Sequence, residues 1–290
     1  MSDDTSPPPQ AFTAAAATAH GRAGRDLVAA VAAGLVLGII CLVSLFTVKW
    51  LFAVVAGVAL VIAVQEFRVA MKQRGITIDA MTLFAGVVAL SVAAYFGGLA
   101  WLAMGFGVLV LALVFRRLRG GTEGYVRDVT ASVFVAAYLP FMVGFVMLML
   151  RADNGAERVL TFILLTVCSD IGGYAAGVLF GKHPIAASIS PKKSWEGLVG
   201  SLVLQSVAGA LLFVFLFDAP WWQGVVTGIV LTAVATLGDF AESAVKRDLG
   251  VKDMGTIVPG HGGMMDRLDS LVPNAFVAWL LLTLFLGASS

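Results

Sequence analysis

Between residues 238 and 269 the chain reads GDFAESAVKRDLGVKDMGTIVPGHGGMMDRLD. This stretch holds four of the 19 basic residues (Lys246, Arg247, Lys252, Arg267) and six of the 18 acidic ones (Asp239, Glu242, Asp248, Asp253, Asp266, Asp269). Continued as a helix, Asp239, Glu242, Ser243 and Lys246 fall at i, i+3, i+4 and i+7 and share one face. The helix breaks after Gly250. Gly255, Pro259, Gly260, Gly262 and Gly263 then make a loop whose free backbone amides can approach a ligand closely. Asp266 and Asp269, three apart, again share a face at the start of the next apolar run. Carboxylates arriving from two helix ends, with lysine and arginine between them, suit a divalent cation on a polyphosphate: oxygen ligands hold the hard cation, and cationic side chains neutralise phosphate oxygens. A plain ion-paired loop, with a bridge such as Asp248 to Lys252 at i, i+4, has no need of Pro-Gly-His-Gly-Gly or of paired acids at both ends.

Two further features lie upstream. Asp170 sits inside the apolar run TVCSDIGGYAAGVLFGK, where an acid is expensive and faces a polar cavity or a partner. Gly173, Gly177 and Gly181 follow at every fourth residue, a small-residue face for close helix packing. In the loop GKHPIAASISPKKSWEG, Ser190-Pro191 reads as a helix N-cap followed by a first-turn proline. That places Lys182, Lys192 and Lys193 near a helix N-terminus, a favourable place for phosphate, although lysines there also serve simply to set topology.

The elements that must carry these residues are membrane helices. The 290 residues are 59% apolar and 13% charged, with mean hydropathy +0.94, against about 25% charged in a soluble domain. Apolar runs near 27–48, 50–65, 81–97, 99–115, 129–150, 159–180, 198–217, 221–240 and 268–288 predict an all-α polytopic membrane protein of about nine spans. The weakest boundary is Gly97-Gly98. With nine spans, 16 of the 19 lysines and arginines fall on one side and three (Lys49, Arg151, Arg158) on the other. That bias places the N-terminus and both polar clusters in the cytoplasm. Residues 1–25, rich in Pro, Ala and Ser/Thr, read as a disordered cytoplasmic tail rather than a signal peptide. Residues 26–290 read as a single membrane domain whose site is built from 166–269.

Several chemistries are excluded. Cys41 and Cys168 lie far apart inside apolar runs and suggest neither a disulfide nor zinc. His20, His183 and His261 lack ligand spacing. There is no GxxxxGK[ST], no GxGxxG after a strand and no HExxH, so a nucleotide must be held without a P-loop or a dinucleotide-binding unit. Nothing points to nucleic acid.

The pattern Ser243-Ala-Val-Lys246-Arg247, Lys252-Asp253-Met-Gly255 and Pro259-Gly-His261-Gly262-Gly263-Met-Met-Asp266-Arg267-Leu-Asp269 resembles the signature of the phosphatidate cytidylyltransferases (CDP-diacylglycerol synthases). Asp170-Ile-Gly-Gly-Tyr174 with Gly181-Lys182, and Ser190-Pro-Lys192-Lys193-Ser-Trp-Glu-Gly197, resemble the same family. The likeness covers spans 6 to 9. In the first 150 residues it is limited to hydrophobicity and to Glu66, where the family often has an acid. The departures (Ile171, Gly173, Ser194, Val258) remove no charged group.

The resemblance implies that CTP and phosphatidic acid give CDP-diacylglycerol and pyrophosphate, with Mg²⁺ and room for a second cation. It implies a homodimer in a bacterial inner membrane, with its site facing the cytoplasm. Under it, Asp239, Asp266, Asp269 and Asp170 are expected to hold metal. Lys246, Arg247 and Arg267 meet phosphates, and Ser243 and His261 orient substrate or water. Lys182, Lys192, Lys193, Lys252, Gly262 and Gly263 complete the substrate contacts. Two alternatives are a CTP-dependent lipid or polyprenol kinase, which would release CDP, and a cation-coupled transporter. The transporter would place its acids near the midplane in related halves, whereas these acids gather at one end of the C-terminal half.

Overall fold

The computed structural model describes residues 36, 38–186, 190–255 and 262–287; the side chains of Pro191 and Lys192 also fall outside the description. The expected tail at 1–25 and most of the first expected span lie outside these residues. What is described of that span is a short apolar helix, α1 (Gly38–Thr47). Then come α2 (Lys49–Gln73), α3 (Ala80–Val92), α4 (Gly98–Arg117), α5 (Tyr125–Leu150), α6 (Gly155–Phe180), α7 (Trp195–Phe217), α8 (Trp221–Leu249) and α9 (Met265–Leu286). Seven helical runs among the described residues are long and apolar enough to cross a membrane; the run Ala80–Gly120, which joins α3 and α4, is one of them.

That run is folded back on itself. A π turn at Ala93–Gly97 ends α3, and Gly98 adopts φ +77, a conformation open to glycine and strained for other residues. The absent Cβ of Gly86 leaves room for Leu109 and that of Gly105 for Leu90, so α3 and α4 lie antiparallel. The Gly97-Gly98 boundary read in the sequence is this hairpin.

The core centres on α5. Its residues from Val143 to Leu150 are all buried, as expected for a helix apolar on every side. A second π turn, at Ala137–Phe141, accommodates Pro140, which has no N–H to donate.

The C-terminal half is a set of antiparallel helices brought together by glycine. A Cβ on Gly172 of α6 would stand 2.5 Å from the Gly200 carbonyl of α7, and one on Gly228 of α8 would stand 2.7 Å from the Gln205 carbonyl. The small-residue face expected from Gly173, Gly177 and Gly181 packs on the start of α7: a Cβ on Gly173 would stand 2.6 Å from Ser201 Oγ, Gly177 faces Gly197, Gly181 lies beside the Ser194 hydroxyl, and Gly172 extends the contact. Buried polar bonds lock these helices together: Ser201 Oγ donates to Ser169 O (2.6 Å), Thr232 Oγ1 to Gln205 Oε1 (2.5 Å) and, from α9 to α6, Asn274 Nδ2 to Thr166 Oγ1 (3.2 Å). Gly228→Ala pushes a methyl group into backbone and is expected to lower stability by about 1–3 kcal/mol. Gly107→Ala, inside α4 and meeting nothing within 4 Å, is expected to be neutral or to raise stability by up to about 1 kcal/mol. Unfolding of the two variants in detergent checks the contrast.

Among the described residues, the one strand pair lies where the sequence placed an N-cap. Pro184–Ala186 (β1) and Ser190–Ser194 (β2) pair antiparallel, with Pro184 opposite Ser194. Ser190-Pro191 lies in β2 and starts no helix. The cap is Ser194, whose Oγ accepts from Gly197 N at 3.1 Å. Both serines suit a cap, and pairing of the intervening residues with β1 moves the helix start to Trp195.

Candidate active site

Two lysine–carboxylate clusters lie side by side where α6, α7, α8 and α9 meet. The first is set by the hairpin. Glu196, in the first turn of α7, accepts from the backbone N–H groups of Lys182 (3.2 Å) and His183 (3.3 Å) and lies 2.6 Å from His183 Nδ1. Trp195 N donates to His183 O at 2.9 Å. The chain is thereby turned so that β2 carries Lys193 onto α8. There its ammonium pairs with Asp239 and lies 5.2 Å from the centre of the Phe240 ring. Asp170, Tyr174, Lys193, Ser194, Thr236 and Asp239 line a cavity of about 220 Å³. Asp170 opens onto this cavity from mid-α6, as expected for an acid in an apolar helix.

The second cluster joins α8 to α9. Lys246 Nζ lies 2.5 Å from Glu242 Oε2 and 2.9 Å from Asp266 Oδ1. The other oxygen of Asp266 accepts from Met254 N (3.0 Å) and Gly263 N (2.7 Å). Gly262, at φ +79, packs against Asp266, and a Cβ there would lie 2.8 Å from Oδ2. The close backbone approach foreseen for these glycines occurs, but the group approached is a carboxylate of the chain itself. The amides of Met254 and Gly263 are correspondingly engaged rather than free.

Asp269 links the clusters. Gly238 lets α9 come so close that a Cβ on it would lie 3.0 Å from Asp269 O. Asp269 is repelled by Asp239, Glu242 and Asp170 and accepts one hydrogen bond, from Ser270 N at 2.8 Å. Asp239 Oδ1 and Glu242 Oε1 are buried without a hydrogen-bond partner. A buried carboxylate oxygen left in that state is costly. No group of three His, Cys, Asp or Glu among the described residues is already arranged as a metal cluster. The donor chemistry nevertheless fits a hard cation, with orphaned carboxylate oxygens, mutual repulsion and oxygen donors throughout. Asp170, Asp239 and Asp269 are the residues that would hold it; Asp266, expected beside them, has both oxygens engaged by Lys246 and by the amides of Met254 and Gly263.

A family model described as the cytidylyltransferase family matches residues 28–285. The chain belongs to the cytidylyltransferase family. Three curated relatives carry the name phosphatidate cytidylyltransferase. The one from Mycobacterium leprae is 40% identical over 285 residues, 91% of this chain and 89% of the relative. Those from Mycobacterium bovis and Mycobacterium tuberculosis are each 39% identical over 281 residues, 92% of this chain and 92% and 86% of the relatives. The family match extends through the N-terminal half, where the sequence offered little beyond hydrophobicity and Glu66.

Against this family's frame, the expected helical face on α8 is present, and Asp239, Glu242 and Lys246 all form contacts from it. Ser243, half-buried on the same face, makes no hydrogen bond among those described. Arg247 and Lys252 are exposed, outside both clusters, and Lys182 is exposed beside the hairpin. Arg267 is exposed at the start of α9 and lies within electrostatic reach of Asp170. His261 and the Lys192 side chain lie outside the described residues. The i, i+4 bridge from Asp248 to Lys252 is not among the ion pairs of the described residues. Gly250, at φ +71, ends the helix between the two, so the spacing that would join them is lost.

Three contributors escaped the sequence-based site. Glu242 shared the α8 face but was given no role, and it is the nearer partner of Lys246. Tyr138, on the π turn of α5, has a buried hydroxyl without a hydrogen-bond partner within electrostatic reach of Glu242, Asp269 and Asp239. Glu66 accepts from the backbone of the Asp266 loop. Glu242 left a signal in its place on the α8 face, and Glu66 as an acid near the end of an apolar run; Tyr138 left none.

Proposed function

We propose that the chain transfers the cytidylyl group of CTP to phosphatidic acid, giving CDP-diacylglycerol and pyrophosphate, at the joined clusters of Asp170, Lys193, Asp239, Glu242, Lys246, Asp266 and Asp269. The observation that carries this reading is the meeting of two lysines and several carboxylates at one end of apolar helices, in a chain whose family relatives bear that enzyme's name. In the reaction a phosphate oxygen of the lipid forms a bond to the α-phosphorus of CTP, and the bond from that phosphorus to the bridging oxygen breaks. The electron pair leaves with pyrophosphate. The attacking oxygen is already anionic, so positioning and charge neutralisation supply most of the rate.

Lys193 and Lys246 are placed to meet phosphate oxygens, each held in direction by its carboxylate. Arg267, at the exposed start of α9, is assigned to the lipid phosphate. Asp170, Asp239 and Asp269 would hold Mg²⁺, which would supply charge neutralisation at the triphosphate. Met254 and Gly263, through their N–H groups, keep Asp266 turned toward Lys246. The lysine and arginine asymmetry of the sequence supports a cytoplasmic site in a bacterial inner membrane, where a lipid headgroup and a soluble nucleotide meet. A homodimer rests on the family resemblance alone, and the α6 glycines pack on α7 within one chain.

The test is product analysis with phosphatidic acid, Mg²⁺ and CTP labelled separately on the α- and γ-phosphates. The reading expects α-label in the lipid and γ-label in pyrophosphate. γ-Label in the lipid with α-label in CDP would establish a kinase instead.

A further inference from the structure

We infer that Glu66, in the last third of α2, and Arg74, which caps its end, are positioning residues for this reaction. Together they hold the two ends of the loop that leads into Asp266, in the first turn of α9. The inference rests on the proposed reading of the site.

Glu66 is 4% exposed. Each of its oxygens accepts one backbone N–H across nearly 200 residues: Oε1 from Met264 N and Oε2 from Met265 N, both at 2.8 Å. These are the amides that open α9, where unpaired N–H groups and the positive end of the helix dipole favour a carboxylate. The loop is shaped to admit it. A Cβ on Gly263 would lie 2.6 Å from both Glu66 oxygens, and one on Gly255 would collide with the same carboxylate. The fit therefore depends on glycine at both places.

Eight residues on, roughly 12 Å along the helix, Arg74 Nε donates to Leu249 O at 2.9 Å. Leu249 is the last residue of α8, so a cation meets the carbonyl end of one helix while an anion meets the amide end of the next. Gly250 turns directly beside the Arg74 guanidinium. α2 thus spans the interval between Leu249 and Met264 as a splint. Asp266 is one residue past Met265, and its pairing with Lys246 depends on where that backbone is held. Loosening the Glu66 end lets Asp266 move relative to Lys246, and a displacement of about 1 Å at a reacting centre costs on the order of 100-fold in rate. Neither residue meets substrate; both act through Asp266.

The experiment uses the full chain in detergent–lipid micelles, with Glu66→Gln, Arg74→Gln and the double variant. Glutamine keeps the shape of Glu66 and turns one of its two acceptors into a donor facing an N–H. For Glu66→Gln we expect kcat to fall about 100-fold, with KM for CTP and lipid changed less than about threefold, the pattern of lost transition-state positioning. Arg74→Gln should cost about tenfold, and the double variant less than the product of the two, because both act on one loop. Independently of activity, hydrogen exchange at Met264 and Met265 should speed up about tenfold in Glu66→Gln, while the α3–α4 hairpin stays at the wild-type rate.

The inference is overturned if kcat stays within about twofold of wild type, or if exchange rises equally across α2, α3 and α4, which is general destabilisation. If Glu66→Gln does not fold, Arg74→Gln, exposed at a helix end, decides by the same two readouts. If the wild type itself transfers no cytidylyl group, the proposed reaction fails, and the exchange measurement still judges whether Glu66 holds the loop.

Discussion

Asp266→Asn is expected to reduce cytidylyl transfer by about 10³-fold or more, the scale seen when a preorganised electrostatic contact at a reacting centre is lost. Both oxygens of Asp266 are occupied: Oδ1 by Lys246 at 2.9 Å, and Oδ2 by the amides of Met254 and Gly263 at 3.0 and 2.7 Å. Asparagine presents one oxygen and one NH₂ group. Whichever way it turns, a donor faces a donor, either the Lys246 ammonium or the two loop amides. The side chain is only 8% exposed, so water cannot repair the mismatch, and a stability loss of about 1–3 kcal/mol accompanies the loss of rate. Lys246 keeps Glu242 at 2.5 Å and is drawn toward α8, away from the loop. Turnover and thermal unfolding in the same detergent measure both effects. Activity above about a tenth of wild type would show that Asp266 does not hold Lys246 for the transition state.

Lys193→Gln is expected to cost about 10²-fold in turnover, as a phosphate-facing cation in a positioned contact does. It is also expected to lower stability by about 2 kcal/mol, below the 3–5 kcal/mol for breaking a fully buried pair because the lysine side chain is 29% exposed. Lys193 is the direct ion-pair partner of Asp239, whose other oxygen is already buried without a partner and whose neighbours Asp170 and Asp269 repel it. Removing the cation leaves that repulsion less compensated. Lys193→Arg keeps the charge but not the compact ammonium between Asp239 and the Phe240 ring, so partial recovery is expected. Recovery by arginine to the full wild-type rate would show that charge alone matters at this position.

The sequence made the α8 face legible because helical periodicity is local. Asp239, Glu242 and Lys246 are one and two turns apart, and no tertiary information is needed to align them. Gly97-Gly98 was legible for a similar reason, since two glycines between apolar runs are where a chain can reverse. The site's long-range half was not legible in this way. The pairing of Lys193 with Asp239 links residues 46 apart and depends on the β1–β2 hairpin. That hairpin was missed because Ser190-Pro191 and Ser194-Trp195 are both acceptable helix starts by local rules. Glu66 was further out of reach. Its partners are backbone amides 198 and 199 residues away, and an amide carries no side-chain identity for a pattern to register. The loop glycines were recognised as places of close approach, but periodicity and spacing did not reveal that Glu66 and Asp266 were the groups approached.

The most direct measurement of the central claim follows α-labelled CTP and phosphatidic acid with purified wild type beside Asp239→Asn, both shown to be folded by thermal unfolding. The account predicts Mg²⁺-dependent label in the lipid fraction for wild type and a loss of about 10³-fold in the variant. Label transfer by Asp239→Asn at the wild-type rate would remove the reaction from this cluster, and unlabelled lipid with intact CTP in the folded wild type would contradict the proposed reaction itself.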